Sequence, residues 1–491
     1  MTSTEFNELI LRLETESLRS PGTYRAKLVA LTALGHLYVI ALLVLMLVLL
    51  ALATVELLNG NLLETSGRAI PGLIAGGLCL AATRLRLPHP EGRRLLRSDA
   101  PQLFAVIDKI RNKLGAPSIH QVVVNDVFSA AILQAPRLGI FGWNHNTLVV
   151  GLPLMQALSR KEFAAILAHE YAHISRLHGR LEAWIHRTQV MWKHVGNGLN
   201  PHPGRLESTL TGFLRWYIPI LNAFGAVRLR QDELEADFIA ASVVGHQTMA
   251  DALIAQALRG RFLEERFWQG LWSRADHQPT PPFLPHTSMR TALSRGISTE
   301  ESLAWLMETM KRDAAPNDTY PGLRERILAL DTGTELPPDA VHSAAQSLLG
   351  DLLPDLQKDF DARWLAHNSQ AWRLRFHAVT SARETVHRME HRSVEQLSPE
   401  ELAHLGLAFD TLGRSDEALP LLRLAAEHPN GPAEAALATA RLLRARNDGS
   451  ATHYMETALR RNPGLARHRA EQDALAGLAA IGARHARQHA A

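Results

Sequence analysis

Apolar and polar positions are distributed unevenly along this chain. From Leu28 to Leu58 the residues are apolar almost throughout, interrupted only by His36 and Glu56. A run of that length crosses a bilayer with some tilt, so the pattern predicts a transmembrane helix over 28–58. A signal peptide has a shorter apolar core, nearer the start. A second apolar stretch, 70–87, is shorter and contains Gly72, Gly76 and Gly77. Small residues let membrane helices approach closely, so the expectation is a helical hairpin. A third patch, Phe213 to Val227, includes Arg215 and Pro219. It reads equally as a segment dipping into the membrane and as a helix packed on a core.

Beyond the apolar N-terminus the pattern changes period. Leu103, Val106, Ile107 and Ile110 recur at helical spacing, which predicts an amphipathic helix over 100–114. Short β-like runs follow at 122–124, 130–133 and 147–150, with Gly139, Gly142 and Asn144 to Asn146 as the expected turns. Phe163 to Ala168 is apolar and helix-like. The proline-rich stretch 278–290 is expected to be irregular. From about Pro337 the chain reads as helices. There Leu424–Pro429 is echoed by Ala458–Pro463 at an offset of 34 residues, and Gly406, Leu412, Gly413 and Ala418 fit a first helix pair. That period resembles the tetratricopeptide repeat, which implies a surface for a protein partner; a plain bundle covering the preceding domain is the other reading.

The fold class expected is therefore mainly α with a small β-sheet, in three parts. Residues 1–88 form a membrane anchor with helices over 28–58 and 70–87, 89–335 form the central domain, and 336–491 form the helical region. With 491 residues and a formal net charge of +3, bulk charge gives no case for nucleic-acid binding. The single cysteine, Cys79, excludes a disulfide framework and any cysteine-based metal site. Arg12, Arg19, Arg25 and Lys27 precede the first span, and Arg84, Arg86, Arg93, Arg94 and Arg97 follow the second. The positive-inside rule then places both flanks in the cytoplasm.

Candidate chemistry is concentrated in His169-Glu170-Tyr171-Ala172-His173, an HExxH motif. On a helix, positions i and i+4 share a face, so both imidazoles can reach one metal ion, with Glu170 beside it to take a proton from water. Catalytic zinc takes three protein ligands. Arg176 and Gly179 stand where a metzincin has glycine and histidine, and Trp192 and Lys193 where a thermolysin-like chain has glutamate. Further on, Glu233 and Asp237 are four residues apart and share a helix face. Glu233 can bind the metal and Asp237 can support a ligand; by itself the segment reads as readily as a charged, solvated face.

The pairing of HExxH with Glu233-Leu234-Glu235-Ala236-Asp237 resembles the HtpX and CAAX prenyl protease family of membrane-associated zinc metallopeptidases, over about residues 88–300. The resemblance implies one Zn2+ per chain held by His169, His173 and Glu233, Glu170 as general base and Asp237 behind the ligands. It also implies a zincin sheet whose edge strand accepts an extended peptide. Relatives carry a His-Pro pair followed by an arginine; His286 followed by Thr287 and Arg290 is the nearest counterpart, which makes His286 the expected substrate or oxyanion contact. Ser129 stands where relatives often have asparagine.

The function expected is that of a membrane-anchored zinc metalloendopeptidase acting on protein or peptide substrates, with a role in membrane protein quality control. Membrane lipid and a protein partner on the C-terminal helices are its other expected contacts. Its expected place is a bacterial inner membrane, multi-pass, with the catalytic domain in the cytoplasm. The alternative is an inactive adaptor. A prenyl-peptide processing enzyme needs more spans than are found here.

Overall fold

The computed structural model describes residues 3–60, 90–138, 141–176, 205–311 and 320–465, with scattered positions between them. The chain is mainly helical with one small sheet. It divides into two compact units, Met1–Gly260 with Ile297–Leu353, and Arg261–Gly296 with Pro354–Gln488.

The first unit opens with α1 (Ser3–Arg19) and α2 (Pro21–Leu58). The expected first span is one uninterrupted helix, starting earlier than the apolar run because Pro21 sits in its first turn, where the missing N–H costs nothing. Among the described residues it is the one helix long and apolar enough to cross a membrane. The expected second span, 70–87, falls almost wholly outside the described residues. Next come β1 (Arg93–Leu95) and α3 (Pro101–Leu114). Leu103, Val106, Ile107 and Ile110 are all buried, as their spacing predicts. Gly115 closes α3 at φ 59, a left-handed position that favours glycine.

Strands β2 (Gln121–Asn125), β3 (Ala130–Leu138) and β4 (Phe141–Gly151) complete a sheet in the order β1-β2-β4-β3. β2 and β4 are parallel, and the other pairs are antiparallel. The β3–β4 ladder is longer than expected. Asn144 and Asn146 pair with Pro136 and Gln134 instead of forming a turn. The local turn preference of asparagine gives way to cross-strand pairing, as strand context often dictates. Gly151 ends β4 where a Cβ would strike the Val127 carbonyl.

After α4 (Leu152–Ala157) comes α5 (Arg160–Arg176), then α6 (Arg205–Val244) and α7 (His246–Phe262). α6 has 40 residues, about 60 Å at 1.5 Å per residue. It contains the apolar patch 213–227 and the Glu233 segment in one helix. Leu214, Tyr217, Ile218, Leu221, Phe224 and Val227 are buried in one cluster with Ile10 and Leu13 of α1 and Tyr24 and Leu28 of α2. The third apolar patch therefore covers the first two helices. Gly35 permits this approach, since a Cβ there would collide with the Tyr217 hydroxyl and the Trp192 indole.

In the second unit lie α8 (Trp268–Ser273) and α9 (Pro285–Arg295). α9 corrects the expectation that 278–290 is irregular. The irregular stretch stops at Leu284, because Pro285 takes the first helical position instead of breaking the helix. The first unit resumes with α10 (Thr299–Lys311), α11 (Leu323–Ala329) and α12 (Ala344–Leu349). The C-terminal helices are α13 (Leu352–Met389), α14 (Pro399–Thr411), α15 (Ser415–Glu427), α16 (Ala433–Ala445) and α17 (Ala451–Arg461). Their core is mainly alanine and leucine. Gly406 of α14 lets α15 come close, as an added Cβ would lie 2.7 Å from Leu422 Cγ.

Candidate metal centre

α5 starts at a capping box. Ser159 Oγ accepts from the Glu162 N–H, and the Glu162 carboxylate accepts from the Ser159 N–H. The same carboxylate pairs with Arg259 at 3.0 Å. The apolar face of α5, with Phe163, Leu167, Ala168, Tyr171 and Ala172, is buried. Burial of that face turns His169 and His173 towards α6, where Glu233 and Asp237 also lie one turn apart.

Three ligand-type side chains converge. His169 Nε2 and His173 Nε2 are 3.1 Å apart. His169 Nε2 lies 3.3 Å from Glu233 Oε2, and His173 Nε2 lies 3.5 Å from Glu233 Oε1. Bonds of about 2.0–2.1 Å to a tetrahedral zinc require ligand atoms roughly 3.3–3.4 Å apart. The spacing and the donor set, two imidazoles and a carboxylate, fit that ion, and these three residues could hold it.

Behind the ligands stands a second layer of charge. His169 Nδ1 is 2.8 Å from Asp237 Oδ1, so Nδ1–H donates to the carboxylate and leaves the Nε2 lone pair free for a metal. Asp237 is fully buried and also accepts two hydrogen bonds from Arg326, from Nε at 2.7 Å and Nη2 at 2.8 Å. Arg326 Nη2 lies 4.0 Å from Glu233 Oε2. Two turns before Asp237, Arg230 reaches in two directions. It meets Glu14 of α1 at 3.2 Å and Glu325 of α11 at 2.9 Å, while Gln231 donates to Ser17 at 2.8 Å.

The electrostatics follow from this packing in the metal-free protein. Burial alone would raise the Glu233 carboxyl, but His169, His173 and Arg326 together hold it at about 2. Burial opposes a charge on Asp237 too, and Arg326 with His169 keeps it far below the usual carboxylate range. Burial would lower His169, yet Asp237 and Glu233 outweigh it and raise it to about 10. His173 is lowered to about 4 by burial and by the charge on His169. Burial pushes Glu170 up to about 7, with Glu233 adding to the rise and His169 and a hydrogen bond from the Ile132 backbone opposing it. A carboxylate in that range suits proton transfer near neutrality.

Residues 98–333 match the family model described as Peptidase family M48. This segment belongs to peptidase family M48. The M48 match makes the domain a metallopeptidase, a hydrolase of peptide bonds. No curated protein and no solved structure matches the chain. The M48 segment contains both walls of the centre and the helix bearing Arg326, whereas α1 and α2 precede it.

His169, Glu170, His173, Glu233 and Asp237 are brought together by the M48 domain. His286 is not part of that group. It is buried in the second unit beside Trp268 and Phe360, at 6.5 and 5.6 Å between ring centroids, and its N–H donates to Asp361 at 2.8 Å. Its proline-rich setting suggested a loop open to substrate, but Pro285 starts a helix and places His286 in its first turn, inside the core. Two residues at the centre escape the motif. Arg326 clamps Asp237. The Tyr320 phenol is raised by burial first and by the charges of Glu233 and Glu170 next.

Proposed function

We propose that the chain is a membrane-anchored zinc metalloendopeptidase, with His169, His173 and Glu233 as metal ligands and Glu170 as general base. The observation that carries this reading is the approach, at 3.1–3.5 Å, of the two imidazole Nε2 atoms to each other and to the Glu233 carboxylate oxygens, backed by the buried Asp237–Arg326 pair. Zinc, when bound, supplies Lewis acidity towards a scissile carbonyl and lowers the pKa of water. Glu170 takes the proton from the attacking water at its carboxylate and passes it to the leaving amine. Asp237 fixes the tautomer and ring orientation of His169, and Arg326 keeps Asp237 ionised and aimed. β3 is an edge strand next to Glu170, through the Ile132 backbone. An extended substrate adding to that edge presents its backbone to the base.

α2 supplies the anchor, and the basic residues before it favour a cytoplasmic active site. Regulation or recruitment through the C-terminal helices fits their paired arrangement, as α14 and α16 begin at Pro399 and Ala433, one 34-residue period apart. Protein substrates at a membrane fit a role in quality control. Glu170→Gln provides the test. The variant should retain near-stoichiometric zinc while hydrolysis of a casein-type substrate falls by at least about 10²-fold. Wild-type activity in that variant sinks the assignment of the base, and absence of bound zinc in the wild type sinks the metal reading.

A further inference from the structure

α2 and the first half of α6 run side by side in opposite directions. Tyr24 Oη donates to the Phe224 carbonyl at 2.7 Å, Tyr217 Oη donates to the Leu31 carbonyl at 3.0 Å, and the Tyr38 and Phe213 rings stack at 4.4 Å. Residues 24, 31 and 38 of α2 therefore lie level with 224, 217 and 213 of α6. This pairing carries the level of the bilayer, read on α2, over to the helix that contains Glu233.

That level is legible on the outer face of α2. Its first exposed residues include Thr23, Arg25 and Lys27, which belong in water. From Leu37 to Leu58 the exposed residues turn apolar, among them Leu37, Ile40, Val44, Leu47, Val55 and Leu58. That stretch rises about 33 Å at 1.5 Å per residue, close to the hydrocarbon thickness of about 30 Å. Aromatic side chains gather where it starts. Trp184 donates to His36 at 3.3 Å, Tyr38 stacks on Phe213, and Trp216 is 55% exposed. Tryptophan and tyrosine mark the membrane–water boundary, and exposed Arg215 beside them suits the headgroup layer. The bilayer therefore comes no nearer to the metal centre than the level of Trp216.

From Trp216 to Glu233 the same uninterrupted helix continues. Those seventeen positions rise about 25 Å, and a kink at Pro219 or an ordinary tilt shortens this by about a tenth. An extended chain covers about 3.3 Å per residue. We propose that α6 is a spacer that holds the cleavage centre about 25 Å off the lipid, so that membrane-tethered polypeptides are cut only where the scissile bond lies at least about eight residues outside the bilayer. The substrate class is then protruding tails and loops; juxtamembrane and intramembrane segments are excluded. The proposal rests on the reading of the chain as a membrane-anchored peptidase.

The test uses the full-length enzyme in liposomes together with a single-span substrate whose extramembrane tail is an unstructured casein-derived sequence. Cut positions are mapped by mass spectrometry and compared with those in the same tail free in solution. The expected result is that bonds within about eight residues of the bilayer are cut at least about tenfold more slowly when tethered than when free, with more distant bonds unchanged. A soluble, non-specific protease should trim the tethered tail closer to the lipid. Cleavage by the enzyme within the first four tethered residues at the free-tail rate overturns the spacer. If the free tail is cut no faster by wild type than by Glu170→Gln, the peptidase reading fails and takes the proposal with it. If the enzyme does not float with liposomes, the anchor fails and the spacer falls likewise.

Discussion

The wall around the candidate metal centre and the C-terminal helix pairs both contain ion pairs, and they place them oppositely. At the centre, His169, Glu233, Asp237 and Arg326 are buried within hydrogen-bonding or ion-pair distance of one another. In the helix pairs the interior is alanine and leucine, while Arg392–Glu401, Arg414–Glu417 and Arg446–Asp416 lie on the outside. Water and salt screen the outer pairs, which contribute little. A buried charge cannot relax in that way, and loss of its partner leaves it uncompensated. The centre is thus a region where stability is committed to holding charged groups in place; the helix pairs are held mainly by apolar contact.

The largest effect expected on this contrast comes from Arg326→Met. It leaves the Asp237 carboxylate buried without its guanidinium, which should cost about 3–5 kcal/mol of stability and about 10–100-fold in zinc affinity. Chemical denaturation and competition with a chelating dye measure the two. A loss below about 1 kcal/mol would place the buried pair in the same class as exposed pairs.

The pH dependence of the metal-free protein sharpens the comparison next. His173 is held at about 4 against an ordinary 6.5, so its contribution is complete above 6.5 and is lost as pH falls towards 4. Glu233, at about 2 against 4.5, contributes above 4.5 and loses its share towards 2. His169, raised to about 10, acts in the other direction, contributing fully below 6.5 and fading as pH rises towards 10. Glu170, raised to about 7 against 4.5, loses stability as pH rises over that range and so offsets the His173 gain. Unfolding in EDTA should therefore show stability that falls below about pH 4.5, stays nearly level to about 6.5 and declines above it. Saturating zinc should flatten the alkaline side, because the bound form keeps both imidazoles neutral. A profile that rises steadily from pH 6.5 to 10 would contradict the His169–Asp237 geometry.

The smallest effect belongs to the helix pairs. Ser398 caps α14 in a capping box with Glu401, so Ser398→Ala should cost about 1 kcal/mol and leave peptidase turnover unchanged. Loss of turnover in that variant would show that the two regions are less independent than their construction implies.

Much of this was legible in the sequence, for physical reasons. The spacing His169–His173 and Glu233–Asp237 sets helix faces, and helix faces survive folding. Leu103, Val106, Ile107 and Ile110 announce a buried stripe in the same way, and the run 28–58 announces one long apolar helix. Arg326 was not legible. It lies 89 residues from Asp237 on a seven-residue helix with two other charged neighbours, and no local period distinguishes a buried arginine from an exposed one. The stretch 278–290 misled for the reverse reason, since proline-rich surroundings look like a loop until Pro285 is seen to start a helix. The Asn144–Asn146 segment looked like a turn because cross-strand partners cannot be read from one strand.

The link from Glu14 through Arg230 to Glu325 bears on where the working enzyme begins. α11 is too short to persist by itself, and Glu325 is the residue next to the arginine that grips Asp237. α1 is therefore an abutment for the centre, although it lies upstream of the M48 segment. A polypeptide trimmed to the matched segment would lack one of its own retaining walls. The part of the chain that braces the centre is set by contact, and it includes Glu14 of α1.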